Sequence, residues 1–150
     1  MSLEARINDE MKSAMKNGEK LRLDTLRSIR AAIIEFTKSG IGRDMTGDDE
    51  IKLLNTLAKK RKDAITMYEQ AGRKESAEQE TNELAIIMEF LPKQLSDEEI
   101  VAAIKDIINK VGAVSEKDFG KVMGSAMKSL AGKADGNKVQ ATVKSLLGAS

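Results

Sequence analysis

Neither cysteine nor histidine occurs anywhere in the 150 residues. Without cysteine there is no disulfide framework, no thiolate nucleophile and no thiolate-ligated zinc. Without histidine there is no imidazole base near neutral pH, no Ser/His or Cys/His pair, and none of the commonest metal ligand. Tryptophan is absent, aromatics make up 3% and proline occurs once. β-sandwiches and barrels draw on aromatic and β-branched residues and on frequent turns, so these scarcities argue against them. No apolar run approaches the ~18 residues that cross a bilayer, and no signal-peptide pattern is visible. A cytoplasmic chain without a membrane partner is expected. Excess charge of one sign is missing as well. A formal charge of +1 excludes a globally basic nucleic-acid binder and leaves room for a local basic patch.

What is present is 41% hydrophobic and 33% charged, a composition that reads as globular, all-α, and long enough for one domain or two small ones. Eight methionines join Leu, Ile and Ala in an aliphatic core. Ser2 is placed to cap a first helix running through Met15 and stopped at Asn17-Gly18. A second is expected from near Glu19 to about Lys38. Thr46 caps a long third helix that closes at Ala71-Gly72, with Asp48, Asp49 and Glu50 offsetting the helix dipole in its first turn. The spacing of these three carboxylates does not match a calcium loop, and no metal or cofactor is expected. A fourth helix runs from about Lys74 to Leu91-Pro92. Ser96 and Glu99 form a capping box before the apolar face of Ile100, Ile104, Ile107, Ile108 and Val111. Ser115 caps a helix through about Ala131, and Asp135 caps the last. The expected organisation is a helical N-terminal domain over 1–92, a linker at 93–95, and a three-helix domain over 96–150.

Residues 118–139, DFGKVMGSAMKSLAGKADGNKV, are the most informative stretch. Phe119, Met123, Ala126 and Leu130 recur at helical spacing, and at ~100° per residue Lys121 and Lys128 fall roughly opposite them. Gly120 and Gly124 suggest close helix packing within a bundle. Gly132, Lys133, Ala134, Asp135 and Gly136 form a connector, with Lys138 just beyond it. A helix boundary there offers free backbone donors to an anion. Elsewhere, Lys59, Lys60, Arg61 and Lys62 splay around their helix and make no single patch. Arg61 projects among Leu54, Ala58 and Ile65, while Arg22 shares a face with Leu26, Ile29 and Ile33. Glu80 shares one with Ala77, Leu84 and Ile87. Buried charges need partners, so Arg22, Arg61 and Glu80 are expected to form one polar cluster.

The 118–139 stretch resembles the tail domain of the GatB and GatE subunits of tRNA-dependent amidotransferases, with their Gly-Lys-Ala-Asn/Asp connector. The whole chain resembles the small stand-alone YqeY family. The match is carried further by SLEARINDEMKSAMK, by KKRKDAITMYEQAGR at 59–73 and by EFLPKQLSDEEI at 89–100. The resemblance implies an all-α fold with a tail-like C-terminal module, and tRNA or an RNA-linked complex as partner. It carries over Gly132, Lys133, Ala134 and Asp135, with Lys121, Lys138 and Val139. Asp135-Gly136 stands where the amidotransferase tails usually have Asn-Pro, which adds a negative charge to the connector. The expected function is a non-catalytic, tRNA-binding accessory protein, monomeric, with Lys121, Lys128, Lys133 and Lys138 as its contacts. Binding is expected to be weak, read from phosphate and shape, because Phe119 is needed in the core and no other aromatic occurs from there onward for stacking. An amidotransferase or aminoacyl-tRNA synthetase complex is a further possible partner. The alternatives are a helical protein adaptor, and carbon–nitrogen ligase activity with glutamine as donor within a larger complex.

Overall fold

The computed structural model describes residues 1–148. Among them are seven α-helices and no strand, so the fold is all-α. The chain divides into two compact units, Met1–Leu91 and Pro92–Ser150.

The first unit is two helical hairpins. α1 (Leu3–Asn17) and α2 (Lys20–Lys38) pair across a turn in which Gly18 adopts φ 69°. The turn needs a left-handed residue there, and only glycine takes that conformation without strain. α3 (Gly47–Gln70) and α4 (Lys74–Met88) form the second hairpin, and α2 packs on α4. The core follows from helical spacing. Leu3, Ile7, Met11 and Ala14 of α1 meet Leu26, Ile29 and Ile33 of α2, Leu54 and Ala58 of α3, and Ile86 and Ile87 of α4. Thr25 is fully buried in that core, its hydroxyl donating to the Leu21 carbonyl at 2.9 Å. The carboxylate of Glu50 accepts from the Leu3 N–H at 2.6 Å, tying the start of α3 to the start of α1.

α4 stops earlier than expected. Met88 is its last helical residue, and the N–H groups of Glu89, Phe90 and Leu91 reach back three residues, to Ile86, Ile87 and Met88. This is 3₁₀ tightening as the chain approaches Pro92.

The second unit holds α5 (Asp97–Val111), α6 (Phe119–Ser129) and α7 (Gly136–Gly148). Ser115 caps a 3₁₀ turn at Glu116–Asp118 and not the α-helix itself, which begins at Phe119. Ile100, Ile104 and Ile107 close on Val122, Ala126 and Leu130 and on Val139, Val143 and Leu147. The buried stripe of α6 is rotated from the expected one. Val122 is fully buried while Phe119 and Met123 are partly exposed. Gly120 and Gly124 do not mediate close packing: both are exposed, and a Cβ at either would meet nothing within 4 Å.

Candidate functional site

The second unit contains nine lysines, seven carboxylates and no arginine. Lys121, Lys128, Lys133, Lys138 and Lys144 are all exposed. Lys121 and Lys128 are seven residues apart on α6, which places them ~20° apart around the axis and ~10 Å along it. Gly124 lies between them and adds no side chain. Lys133 rises from the connector. Lys138, in the first turn of α7, pairs with Asp97 at 3.0 Å in the first turn of α5, where both side chains are largely in water.

The connector is held from several sides. Gly132 is buried with φ 74°, the conformation that lets the chain turn after α6. The Lys133 N–H donates to the Leu130 carbonyl at 2.9 Å, and the Lys133 carbonyl accepts from the Leu95 N–H at 2.8 Å. The Gln94 side-chain amide donates to the Gly132 carbonyl at 2.6 Å and to the Pro92 carbonyl at 2.9 Å. Ala134 packs against the core. Asp135 accepts the Asn137 N–H on its carboxylate at 2.8 Å and the Val139 N–H on its carbonyl at 3.0 Å, so it caps α7. That cap changes the expected chemistry. A carboxylate of the chain already holds one of the amide donors proposed for an anion at this helix start. A phosphate would therefore be met by lysine side chains around the connector. Gly136 begins α7 with the Met127 methyl 3.8 Å from where its Cβ would lie, ordinary contact distance.

The expected polar cluster of the first unit is two clusters. Arg61 reaches Glu80 at 3.0 Å and also Glu83 at 2.6 Å. Arg22 is not among them: it pairs with Glu10 at 2.7 Å and Glu89 at 2.8 Å. Donating to the Glu89 and Glu10 carboxylates holds the Arg22 guanidinium well above its ordinary range. Residues that share a helix face can still sit at different heights. Glu80 and Glu89 are nine residues apart, ~13 Å along a helical rise, and each arginine takes the carboxylates at its own level.

Of the acidic run, Asp49 accepts from the Thr46 N–H and hydroxyl and from Arg43, and these bonds hold its carboxyl far below the usual carboxylate range. With Glu50 on Leu3, two of the three acids have structural work. No group of three or more His, Cys, Asp or Glu among the described residues is placed to hold a metal. Among the described residues no helix is long and apolar enough to cross a membrane. Lys59 and Lys60 are exposed on α3, in the other unit. Sequence reasoning missed Glu83, Gln94 and Leu95. Glu83 was signalled by its i,i+3 spacing from Glu80. Gln94 and Leu95 lie in the stretch assigned to a linker, and no local pattern ties them to carbonyls 38 residues away.

The family described as Yqey-like protein matches residues 4–147, and the chain belongs to it. A protein of Pyrenophora tritici-repentis named "Altered inheritance of mitochondria protein 41, mitochondrial" is 26% identical over 148 residues, 96% of this chain and 80% of that protein. A Schizosaccharomyces pombe protein described as uncharacterized is 31% identical over 97 residues, 64% of this chain and 77% of its own length.

Proposed function

We propose that this member of the Yqey-like family is a non-catalytic accessory protein that binds tRNA or similarly structured RNA through the lysine-bearing surface of its second unit. The observation that carries the reading is the disposition of charge on that surface. Lys121, Lys128, Lys133 and Lys144 are exposed and make no ion pair among the described residues, and Lys138 makes only a solvated one. Solvated ammonium groups around a held connector suit phosphates. A polyanion that displaces Asp97 from Lys138 gives up little, because exposed ion pairs contribute under ~1 kcal/mol. The opposing charges set the strength. Asp97, Glu98 and Glu99 begin α5 beside Lys138, and Asp135 caps α7, so affinity is expected in the ordinary non-specific range of ~10⁻⁴–10⁻⁶ M. A partner amidotransferase or synthetase complex would be reached through the shared RNA. The proposal includes a cytoplasmic site of action; the fungal relative is named as mitochondrial, and mitochondria also hold tRNA.

Titration of labelled tRNA at a series of salt concentrations tests this. About four neutralised phosphates predict that log K falls with log salt at a slope of roughly −3. No measurable binding at low salt, or binding that ignores salt, would remove RNA as the partner and make the protein adaptor the leading reading.

A further inference from the structure

The short stretch between α4 and α5 is bonded to the element on which the proposed interface depends. Leu95 gives its N–H to the Lys133 carbonyl at 2.8 Å, and its side chain packs on the core of the second unit. Gln94 gives its amide to two carbonyls at once, Gly132 at 2.6 Å and Pro92 at 2.9 Å. Both partners are acceptors only, so the side-chain nitrogen, with its two hydrogens, must face them. Ser96, after Leu95, closes a capping box with Glu99: its N–H donates to the Glu99 carboxylate at 3.0 Å, and its hydroxyl oxygen accepts from the Glu99 N–H at 3.1 Å. The stretch is thus fastened at one end to α5 and at the other to the connector. We infer that residues 92–95 are a clasp and Gln94 a positioning residue, which holds Gly132 and Lys133 in the conformation from which the exposed Lys133 side chain meets solvent.

The physical case is one of entropy and donor matching. A connector of this length free to move would spread the Lys133 ammonium over many positions, and ordering it on binding would cost affinity. Gln94 lowers that cost in advance with one side chain that spans both carbonyls. Neither Glu nor Leu reproduces this. A glutamate carboxylate has no proton to give two carbonyl oxygens, and leucine fills the space with no donor. The inference rests on the RNA reading for its purpose, but the clasp itself is measurable without RNA.

The test is amide hydrogen exchange of Leu95 in the full-length protein, read by NMR after correction for intrinsic rates. In the parent the Leu95 amide is expected to be protected. Gln94→Leu and Gln94→Glu should both speed its exchange about tenfold or more, with thermal unfolding little changed. Gln94→Glu carries a second signature. Repulsion from the two carbonyls should raise that carboxyl above its ordinary ~4.3. The protonated acid donates, so protection should return as pH falls through the raised value and be lost as it rises. Gln94→Leu should show no such return. Unchanged Leu95 exchange in both variants would overturn the clasp. Titration of labelled tRNA tests the positioning role separately: Gln94→Leu, which alters no charge, should weaken binding several-fold. Loss of Leu95 protection with no change in tRNA affinity would overturn that role. A parent that binds no tRNA would instead sink the RNA reading and leave the exchange result standing.

Discussion

Arg61 and Arg22 each sit on an apolar helix face, and each is met by two carboxylates from outside its own helix. For Arg61 the two are unequal in burial: the Glu83 side chain is 9% exposed and that of Glu80 17%. Removing Glu80 leaves Arg61 its shorter bond, so Glu80→Ala should cost about 1 kcal/mol or less. Glu83→Ala takes away the more buried partner and should cost about 2–3 kcal/mol. Urea unfolding of the two single variants and the double variant measures both; equal costs would contradict the ranking. Gly120 and Gly124 make the opposite case. Both are inside α6, where glycine costs about 1 kcal/mol against alanine, and a Cβ at either meets nothing. Gly120→Ala and Gly124→Ala should each stabilise by about 0.5–1 kcal/mol, and a lowered Tm in either would show that the face is occupied. The face of a charged side chain was legible in the sequence, as Arg61 shows. Its height on the neighbouring helix was not, because hydrophobic periodicity fixes rotation about an axis and says nothing of position along a partner.

Helix ends were the most legible elements, since caps are local chemistry. Ser96 with Glu99 reads as a capping box and is one. Thr46 with Asp49 closes another at the start of α3. The two carboxylates are alike in consequence. Asp49 is depressed chiefly by Arg43 and then by Thr46, and Glu99 by the Ser96 N–H and hydroxyl. A carboxyl lower in the folded than in the unfolded chain stabilises the fold above its unfolded value, ~4. That contribution is lost as pH falls through the folded value. The starts of α3 and α5 should therefore loosen below about pH 4, seen as lost protection of the Asp49 and Glu99 amides after correction for intrinsic exchange rates. Asp49→Asn and Glu99→Gln should abolish the pH dependence at their own helix only. Acid sensitivity persisting in both variants would place its origin elsewhere. The elements misread in sequence were those whose N–H groups reach back three residues instead of four. The 3₁₀ turn before α6 and the last turn of α4 have the composition of α-helix, and only the three-residue reach of their N–H groups sets them apart.

Each of the two units closes its own aliphatic core. A fragment of residues 92–150 should fold alone but marginally, because a chain of ~60 residues buries only ~60% of its unfolded surface. A fragment beginning at Ser96 should melt lower, having lost Gln94 and Leu95. Calorimetry of both fragments checks this, and equal melting temperatures would mean that the connector needs no clasp. The all-α fold and the family were legible from composition and from ordered stretches along the whole chain. The candidate site was legible only in part: Asp135 reads as the cap of the last helix and is one, whereas the Asp97–Lys138 pair and the Gln94 bonds depend on what the fold brings together. We propose that the lysines of the second unit form the RNA surface. The most direct measurement titrates labelled tRNA against two charge-reversed proteins at two salt concentrations. Reversing Lys121, Lys128, Lys133 and Lys138 to Glu should abolish binding with helicity intact, because all four point into water. Reversing Lys59 and Lys60, in the other unit, should leave most of it. If the second-unit variant binds tRNA as tightly as the parent, the account is contradicted.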